Sequence, residues 1–440
     1  MNSFPNNQRE KVDRQLGFAL PNTAPPMSRV RRIALVPIHL VFRFALWLYS
    51  SLISAAGHFR HPRTLGSGPY EILLTGSFLS QNWILAHLRP LAASRACRRI
   101  RFVSCVPLPS IPKVDVISVP GWLSSVVGLS AARMITFLWV GLTTPADYVG
   151  GFHLLLNGLF ALLISKLTGA QSIYICGGGP REFALGGIVA ENRLFDLLRT
   201  PDAVIEQRLV QAARKFDLVI TMGNGAGEYL RQIGVAGAIH NIPGGIDDQR
   251  FFPTSEPPTT DFILVGRLFP VKCIDVFLDA LSLVKRQVPG VRATIVGDGV
   301  LRAALEQQSS ELGILDSVSF VGSQANVGDW LRTARVFVLT SDSEGIALSL
   351  MEAMSCGLPA IVSDVGDLHE LVVHGSNGYL VSDHRPEVFA NHMIDLLKDQ
   401  NKLAQFARRA RQTGTRLQIA TAAHSWDEAL RDRRTVSEFR

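Results

Sequence analysis

The chain has 440 residues, a formal net charge of +7, a mean hydropathy of +0.20 and only 18% charged residues. Its length exceeds one ordinary hydrophobic core and implies two domains. The basic balance suits nucleic acid, anionic lipid or a phosphorylated substrate. The absence of an aromatic-interleaved basic patch, a zinc spacing or an RNA-binding signature argues against nucleic acid as a partner.

Residues 1–32 are polar, contain prolines and end in Arg29, Arg31 and Arg32, and so read as a disordered leader. Residues 33–60 are an apolar, membrane-associated helix. Their length admits a spanning helix, but Arg32, His39, Arg43, Ser50 and Ser54 recur at helical spacing. The resulting narrow polar stripe favours a helix lying in the membrane interface. A buried structural helix and a cleaved signal peptide are the rivals, although the apolar stretch and leader are long for the latter. Arginines flank both ends, so charge gives no orientation.

From about Tyr70 strand and helix patterns alternate. Expected strands cover 71–75, 100–106, 114–119, 172–176 and 217–221, the last clear strand of this half. Greasy helical patterns cover 129–142 and 154–167. The alternation restarts with strands at 262–265, 293–296 and 318–321 and helices between them. The pattern predicts an α/β fold: an N-terminal Rossmann-like domain over 68–246 and a second over 247–422, facing each other across a cleft, then a last helix over 423–440. Cys97, Cys105, Cys176, Cys273 and Cys356 contain no CxxC pair, which favours a reducing compartment and mostly buried thiols.

The most informative stretch runs from Thr340 to Gly366. Glu344 and Glu352, with seven residues between them, lie on either side of a turn-to-helix step. Alone, such a pair is most simply a solvated surface pair. Gly345 lets a ligand approach the backbone, and the helix starting near Ile346, Ala347 and Leu348 offers N–H groups to a phosphate. Gly357 and Pro359 close that helix. Gly266 and Arg267 follow the strand at 262–265, with Lys272 five residues after the arginine. A guanidinium fork and an ammonium at a strand end suit a departing diphosphate.

Taken together, Gly266-Arg267…Lys272, Val296-Gly297-Asp298-Gly299, Phe320-Val321-Gly322, Ser343-Glu344-Gly345, Glu352-Ala353-Met354 and Gly357-Leu358-Pro359 resemble the retaining glycosyltransferases of family 4, of GT-B fold (glycosyl transferases group 1). The resemblance is strong over about 215–430 and weak before that. It implies that Arg267 and Lys272 bind the donor diphosphate, Glu344 the transferred sugar and Glu352 the ribose. Gly76, Gly297, Asp298, Gly299, Val321 and Gly322 would lie along the nucleotide. It also implies a UDP- or GDP-sugar donor, a hexosyl transfer with retention, and no metal or other cofactor, since the two cations supply the electrostatics.

The chain departs from the family pattern in its first half. Thr75-Gly76-Ser77 holds one glycine where paired glycines are common, and Ile175-Cys176 stands where many members carry a histidine. Cys176 or the N–H groups of Gly177 and Gly178 would substitute, with Arg181 and Glu182 facing the cleft. His153 is either an acceptor-side base or a satisfied structural histidine. The greasy first half favours a lipid-linked or polysaccharide acceptor, with the enzyme held on an anionic membrane surface at the cytoplasmic face. A soluble transferase acting on a small molecule, a GT-B epimerase and a non-catalytic GT-B scaffold are the alternatives.

Overall fold

The computed structural model describes residues 29–59, 63, 65–77, 80–188, 192 and 194–432, without the side chains of 29–36, Phe59 and Asp196. The leader expected over 1–32 thus lies mostly outside the described residues, and its last four positions already belong to a helix. The chain divides into two compact units, one of residues up to Gly245 together with Ile419 onward, the other of Ile246–Gln418.

The first unit opens with helix α1 (Arg29–Phe59) and strand β1 (Tyr70–Thr75). Helix α2 (Gln81–Ala93), β2 (Cys97–Ser104), β3 (Val114–Ser118), α3 (Gly121–Val127) and α4 (Leu129–Thr143) follow. Next come β4 (Tyr148–Phe152), α5 (Leu159–Thr168), β5 (Gln171–Cys176), α6 (Ala203–Ala213), β6 (Leu218–Thr221), α7 (Asn224–Gln232) and β7 (Ala238–Asn241). The seven strands form one parallel sheet in the order β3-β2-β1-β4-β5-β6-β7. Two of these strands, β4 and β7, escaped the sequence reading, and β7 corrects the expectation that 217–221 is the last. The helix expected over 154–167 is also shorter: Leu154–Gly158 is a wide turn with non-helical backbone at Leu155 and Leu156.

The second unit carries β8 (Thr260–Val265), α8 (Ile274–Gln287), β9 (Ala293–Val296), α9 (Arg302–Glu311), β10 (Val318–Gly322), α10 (Val327–Arg332) and β11 (Ala334–Leu339). It ends with α11 (Leu348–Ser355), β12 (Ala360–Ser363), β13 (Gly378–Val381), α12 (Pro386–Lys398) and α13 (Gln400–Thr415). Its parallel sheet runs β10-β9-β8-β11-β12-β13. The amphipathic α8 shows how the sequence builds this layer: Ile274, Phe277, Leu278, Leu281 and Val284, which share one helical face, are all buried. Helix α14 (Ile419–Arg431) returns to the first unit four residues earlier than the 423 boundary expected, and seats Trp426 and Leu430 in its core.

Both sheets have the doubly wound order, in which the chain leaves the middle strand in one direction and later resumes on its other side. The switch points fall between β1 and β4 and between β8 and β11. Open α/β sheets bind ligands there, beyond the carboxyl ends of the strands.

Helix α1 overturns the meaning of its own polar stripe. His39 and Arg43 of that stripe face the protein. His39 Nδ1 lies 2.7 Å and Arg43 Nε 2.9 Å from the buried carboxylate of Asp202, while Tyr49 donates to Leu159 O and Lys215 to Ser54. Apolar side chains Leu40, Val41, Phe44, Trp47, Leu48 and Leu52 point outward. Only 11% of its most apolar window is buried, which excludes an ordinary core helix.

Candidate active site

In the second unit Gly266, Arg267, Lys272 and Glu344 lie at the switch point between β8 and β11. Val265 ends β8 and hands the chain to Gly266 and Arg267, and Leu339 ends β11 and leads to Glu344. The turn at 270–272 is tied to the end of β11: Asp342 N donates to Val271 O at 2.9 Å, and Thr340 Oγ1 to Cys273 O at 2.8 Å. That stitching brings Lys272 Nζ to 2.5 Å from Glu344 Oε1, with both side chains largely enclosed. The Arg267 guanidinium lies over the Phe269 ring, 5.1 Å from its centroid.

Backbone packs against backbone beside this pair. Gly297 has φ +145°, and a side chain there would fall on Gly266 O. Glycine is the residue that permits both the conformation and the approach. Leu268 N donates to Asp298 O at 3.0 Å, Gly297 N donates to Gly322 O at 2.9 Å, and a Cβ on Gly299 would meet Leu268 O. Residues 266–268, 297–299 and 321–322 therefore form one contiguous rim at the ends of β8, β9 and β10. Gly366 closes the other side, because a Cβ there would strike Glu344 O.

Helix α11 starts at Leu348 after Ala347, with no acidic side chain in its first turn, so its free N–H groups keep their positive character. Glu352 lies within α11 and is 4% exposed. Burial pushes its carboxyl up to about 8, only partly opposed by the Arg250 guanidinium. A carboxylic acid held neutral near pH 7 can meet hydroxyl groups, which satisfy it as either donors or acceptors.

In the first unit the donor-side Gly76 and the acceptor-side candidates separate. Gly76 follows β1 and His153 follows β4, the two strands flanking the switch point. Contrary to expectation, Glu182 does not face open space. It is 2% exposed, accepting from Gly178 N (2.7 Å), Tyr174 OH (3.0 Å) and Leu154 N, and it lies 3.0 Å from His153 Nδ1. Burial would raise its carboxyl, but His153 and these backbone N–H groups outweigh burial and hold it below the usual range. The Gly177–Gly178 segment is thus folded around Glu182, and Arg181 lies half-buried in the same short turn. Cys176 is likewise buried, its thiol pushed well up by burial and by Glu182 beside it, which removes it as a substitute for a histidine.

What remains of that set is His153, half-exposed, with φ +63° and its ring oriented by the buried carboxylate and by Trp83. A histidine fixed through Nδ1 by a carboxylate is the arrangement that orients an acid–base imidazole. The sequence reading missed Arg250 beside Glu352, and Arg133, which is 4% exposed with Nη1 unpaired. Neither lies in a motif, and only the packing reveals them.

Residues 246–413 match the family model of glycosyl transferases group 1. The D-inositol 3-phosphate glycosyltransferase 2 of Catenulispora acidiphila is 32% identical over 251 residues, covering 52% of this chain and 58% of that protein. The N-acetyl-alpha-D-glucosaminyl L-malate synthase of Bacillus anthracis is 34% identical over 151 residues, 34% of this chain and 39% of that protein. The chain thus spans little more than half the length of these relatives at most. Among solved structures, Anabaena HepE in complex with UDP-glucose superposes with a TM-score of 0.64 at 21% identity, covering 82% of this chain and 99% of that one. Sucrose-phosphate synthase from Thermosynechococcus elongatus gives 0.66 at 18% identity, covering 81% and 98%. Residues 246–413 are thus similar to the glycosyl transferases group 1, and the two doubly wound parallel sheets match the GT-B fold of these solved structures.

Proposed function

We propose that the protein transfers a hexosyl group from a UDP- or GDP-sugar, with retention, to a lipid-linked or polysaccharide acceptor at the cytoplasmic face of a membrane. The observation that carries the donor half is the Lys272–Glu344 pair, 2.5 Å apart, beyond the carboxyl ends of β8 and β11, with Arg267 following β8 at the same edge. A diphosphate entering beside Lys272 replaces Glu344 as the ammonium's partner and frees that carboxylate for sugar hydroxyls. The C1–O bond to the diphosphate breaks, the acceptor oxygen bonds to C1 on the same face, and its proton passes to the departing phosphate oxygen. Arg267 and Lys272 stabilise the charge that develops, and this scheme requires no metal ion.

The acceptor half rests on a surface. Helix α5 packs against both α1 and α4, so the outward faces of α1 and α4 belong to one helical layer. Beside Phe44 and Trp47, that layer and the neighbouring α3 expose Trp122, Val126, Ile135, Trp139 and Leu142. So many large apolar side chains on one layer mark a membrane or partner surface, with tryptophans suited to the headgroup level. Asp202 engages His39 and Arg43 of α1, laying the helix along the protein, which supports an in-plane helix over a spanning one.

The named acceptors of the relatives, inositol phosphate and malate, favour a second reading: a transferase for a small polar molecule. The family match lies in the donor half, however, so acceptor choice is not inherited with it. Incubating the full-length protein with UDP- and GDP-sugars, with either lipid extract or small polyols, separates the readings. Sugar recovered in the lipid phase supports the first, and transfer to the soluble acceptor alone overturns it. Lys272→Ala is expected to lower kcat/KM by about 100-fold or more.

A further inference from the structure

Beside the donor pair lies a second set of side chains that the transfer does not use. Cys273, Asp342 and His384 come from three different loops at the carboxyl edge of the second sheet. Cys273 ends the turn after β8, Asp342 follows β11, and His384 follows β13. Their Sγ, carboxylate oxygen and ring nitrogen all lie within 4.8 Å of one another, and His384 Nδ1 is 3.2 Å from Asp342 Oδ1. From this geometry we infer that Cys273, Asp342 and His384 form a binding site for a divalent transition-metal cation, Zn²⁺ foremost.

The donor set selects the metal. One thiolate, one imidazole and one carboxylate match a borderline-soft ion of tetrahedral preference and suit neither Mg²⁺ nor Ca²⁺, which take oxygen ligands. Three protein ligands leave a fourth position for water. The backbone also places the thiol at some cost: Cys273 has φ +44°, a left-handed conformation that glycine adopts far more readily. The hydrogen bonds from Thr340 to the 272 and 273 carbonyls hold that turn against the strand end, so the thiol meets Asp342.

The site has a structural consequence. Lys272 and Cys273 are adjacent in one turn, the first reaching Glu344 and the second Asp342. A metal on Cys273 would brace the turn that carries the donor-binding lysine. It would act as a clamp outside the reaction, leaving the transfer chemistry to the cations already described. The inference stands on the three ligands alone and does not depend on the transferase reading.

The test uses the full-length protein, stripped by chelator and titrated with Co²⁺ and then Zn²⁺ in competition with a chromophoric chelator. The expected result is one equivalent of Co²⁺ with a near-ultraviolet thiolate charge-transfer band and intense visible absorption of four-coordinate geometry, displaced by Zn²⁺ and not by Mg²⁺. Cys273→Ser and His384→Ala should each weaken Zn²⁺ binding at least about 100-fold and abolish the rise in Tm that Zn²⁺ gives the native chain. Cys105→Ala, at another partly exposed cysteine, should change neither. A weak octahedral Co²⁺ spectrum without the thiolate band overturns the site, as does a thiolate band that survives Cys273→Ser. Circular dichroism of the chelated variants, matching the chelated native chain, separates lost ligation from lost folding.

Discussion

Glu352 and Asp202 are both buried carboxyls, and their environments drive them in opposite directions. Glu352 has burial and little else, so its folded form binds a proton to about pH 8 that the unfolded chain releases near the usual carboxylate range. The folded state therefore holds more protons across that window, and stability falls as pH rises from about 4.5 to 8. Glu352→Gln should remove this slope and stabilise the ligand-free protein at pH 9 by on the order of 2–4 kcal/mol, read from urea unfolding across the range. The same variant should bind UDP about tenfold more weakly. If stability keeps its slope in the variant, the neutral buried acid is wrong.

Asp202 is the reverse case. Burial opposes its charge, but His39, Arg43 and the backbone N–H of Ile205 hold it below the ordinary range. It also caps α6 through Val204 N and Ile205 N. A depressed carboxyl contributes stability that is present above its unfolded value and lost as pH falls through its folded one, here below about pH 4. Asp202→Ala should cost about 3 kcal/mol, combining a lost cap with stranded charges. Asp202→Asn should cost less, because its amide oxygen still caps. Denaturant midpoints, with protease sensitivity of α1 as a local probe, rank the two, and equal costs would show that the ion pairs contribute nothing.

At the scale of elements, α1 makes the clearest prediction. Its inner face pairs with Asp202, and its outer face offers Phe44 and Trp47, exposed by 62% and 50%. Phe44→Glu with Trp47→Glu should leave the pairing intact and abolish flotation with anionic vesicles. Trp122→Ser with Trp139→Ser on α3 and α4 should reduce flotation less. Undiminished flotation of all variants would remove this layer as the docking face. The sequence could not orient this helix, because a polar stripe at helical spacing looks the same whether it faces solvent or a partner 163 residues away. Elements with strong local signals were legible: β11 ends in the apolar run Val336–Leu339, and α8 carries its core residues at helical spacing. β4 was not, since Tyr-Val-Gly-Gly-Phe holds two glycines, nor was β7, where Ala-Ile-His-Asn is half polar. Glu182 misled for a related reason. A glycine-rich loop reads as a binding loop, and nothing local shows that four partners turn its carboxylate inward.

For the molecule as a whole, the two units repeat one topology, yet they differ in what lies at the switch point. The second unit brings Arg267, Lys272 and Glu344 to it, with Glu352 buried in the helix that follows, whereas the first offers an oriented histidine there and an apolar layer elsewhere on its surface. This asymmetry bears on stereochemistry. A double-displacement route with retention would need a carboxylate poised as nucleophile, and Glu344 is instead ion-paired to Lys272 at 2.5 Å. Glu352 is buried and protonated near neutral pH, and Glu182 is saturated with partners. Same-face attack assisted by the departing diphosphate fits what these groups offer. The expected outcome is a product with the donor's anomeric configuration, seen by proton NMR before mutarotation, and no covalent adduct by intact mass with a fluorinated donor analogue. His153→Asn should lower kcat by about tenfold to 100-fold while leaving that configuration unchanged. An inverted product, or a glycosyl adduct on Glu344, would assign the chemistry to the side chains rather than to the leaving group.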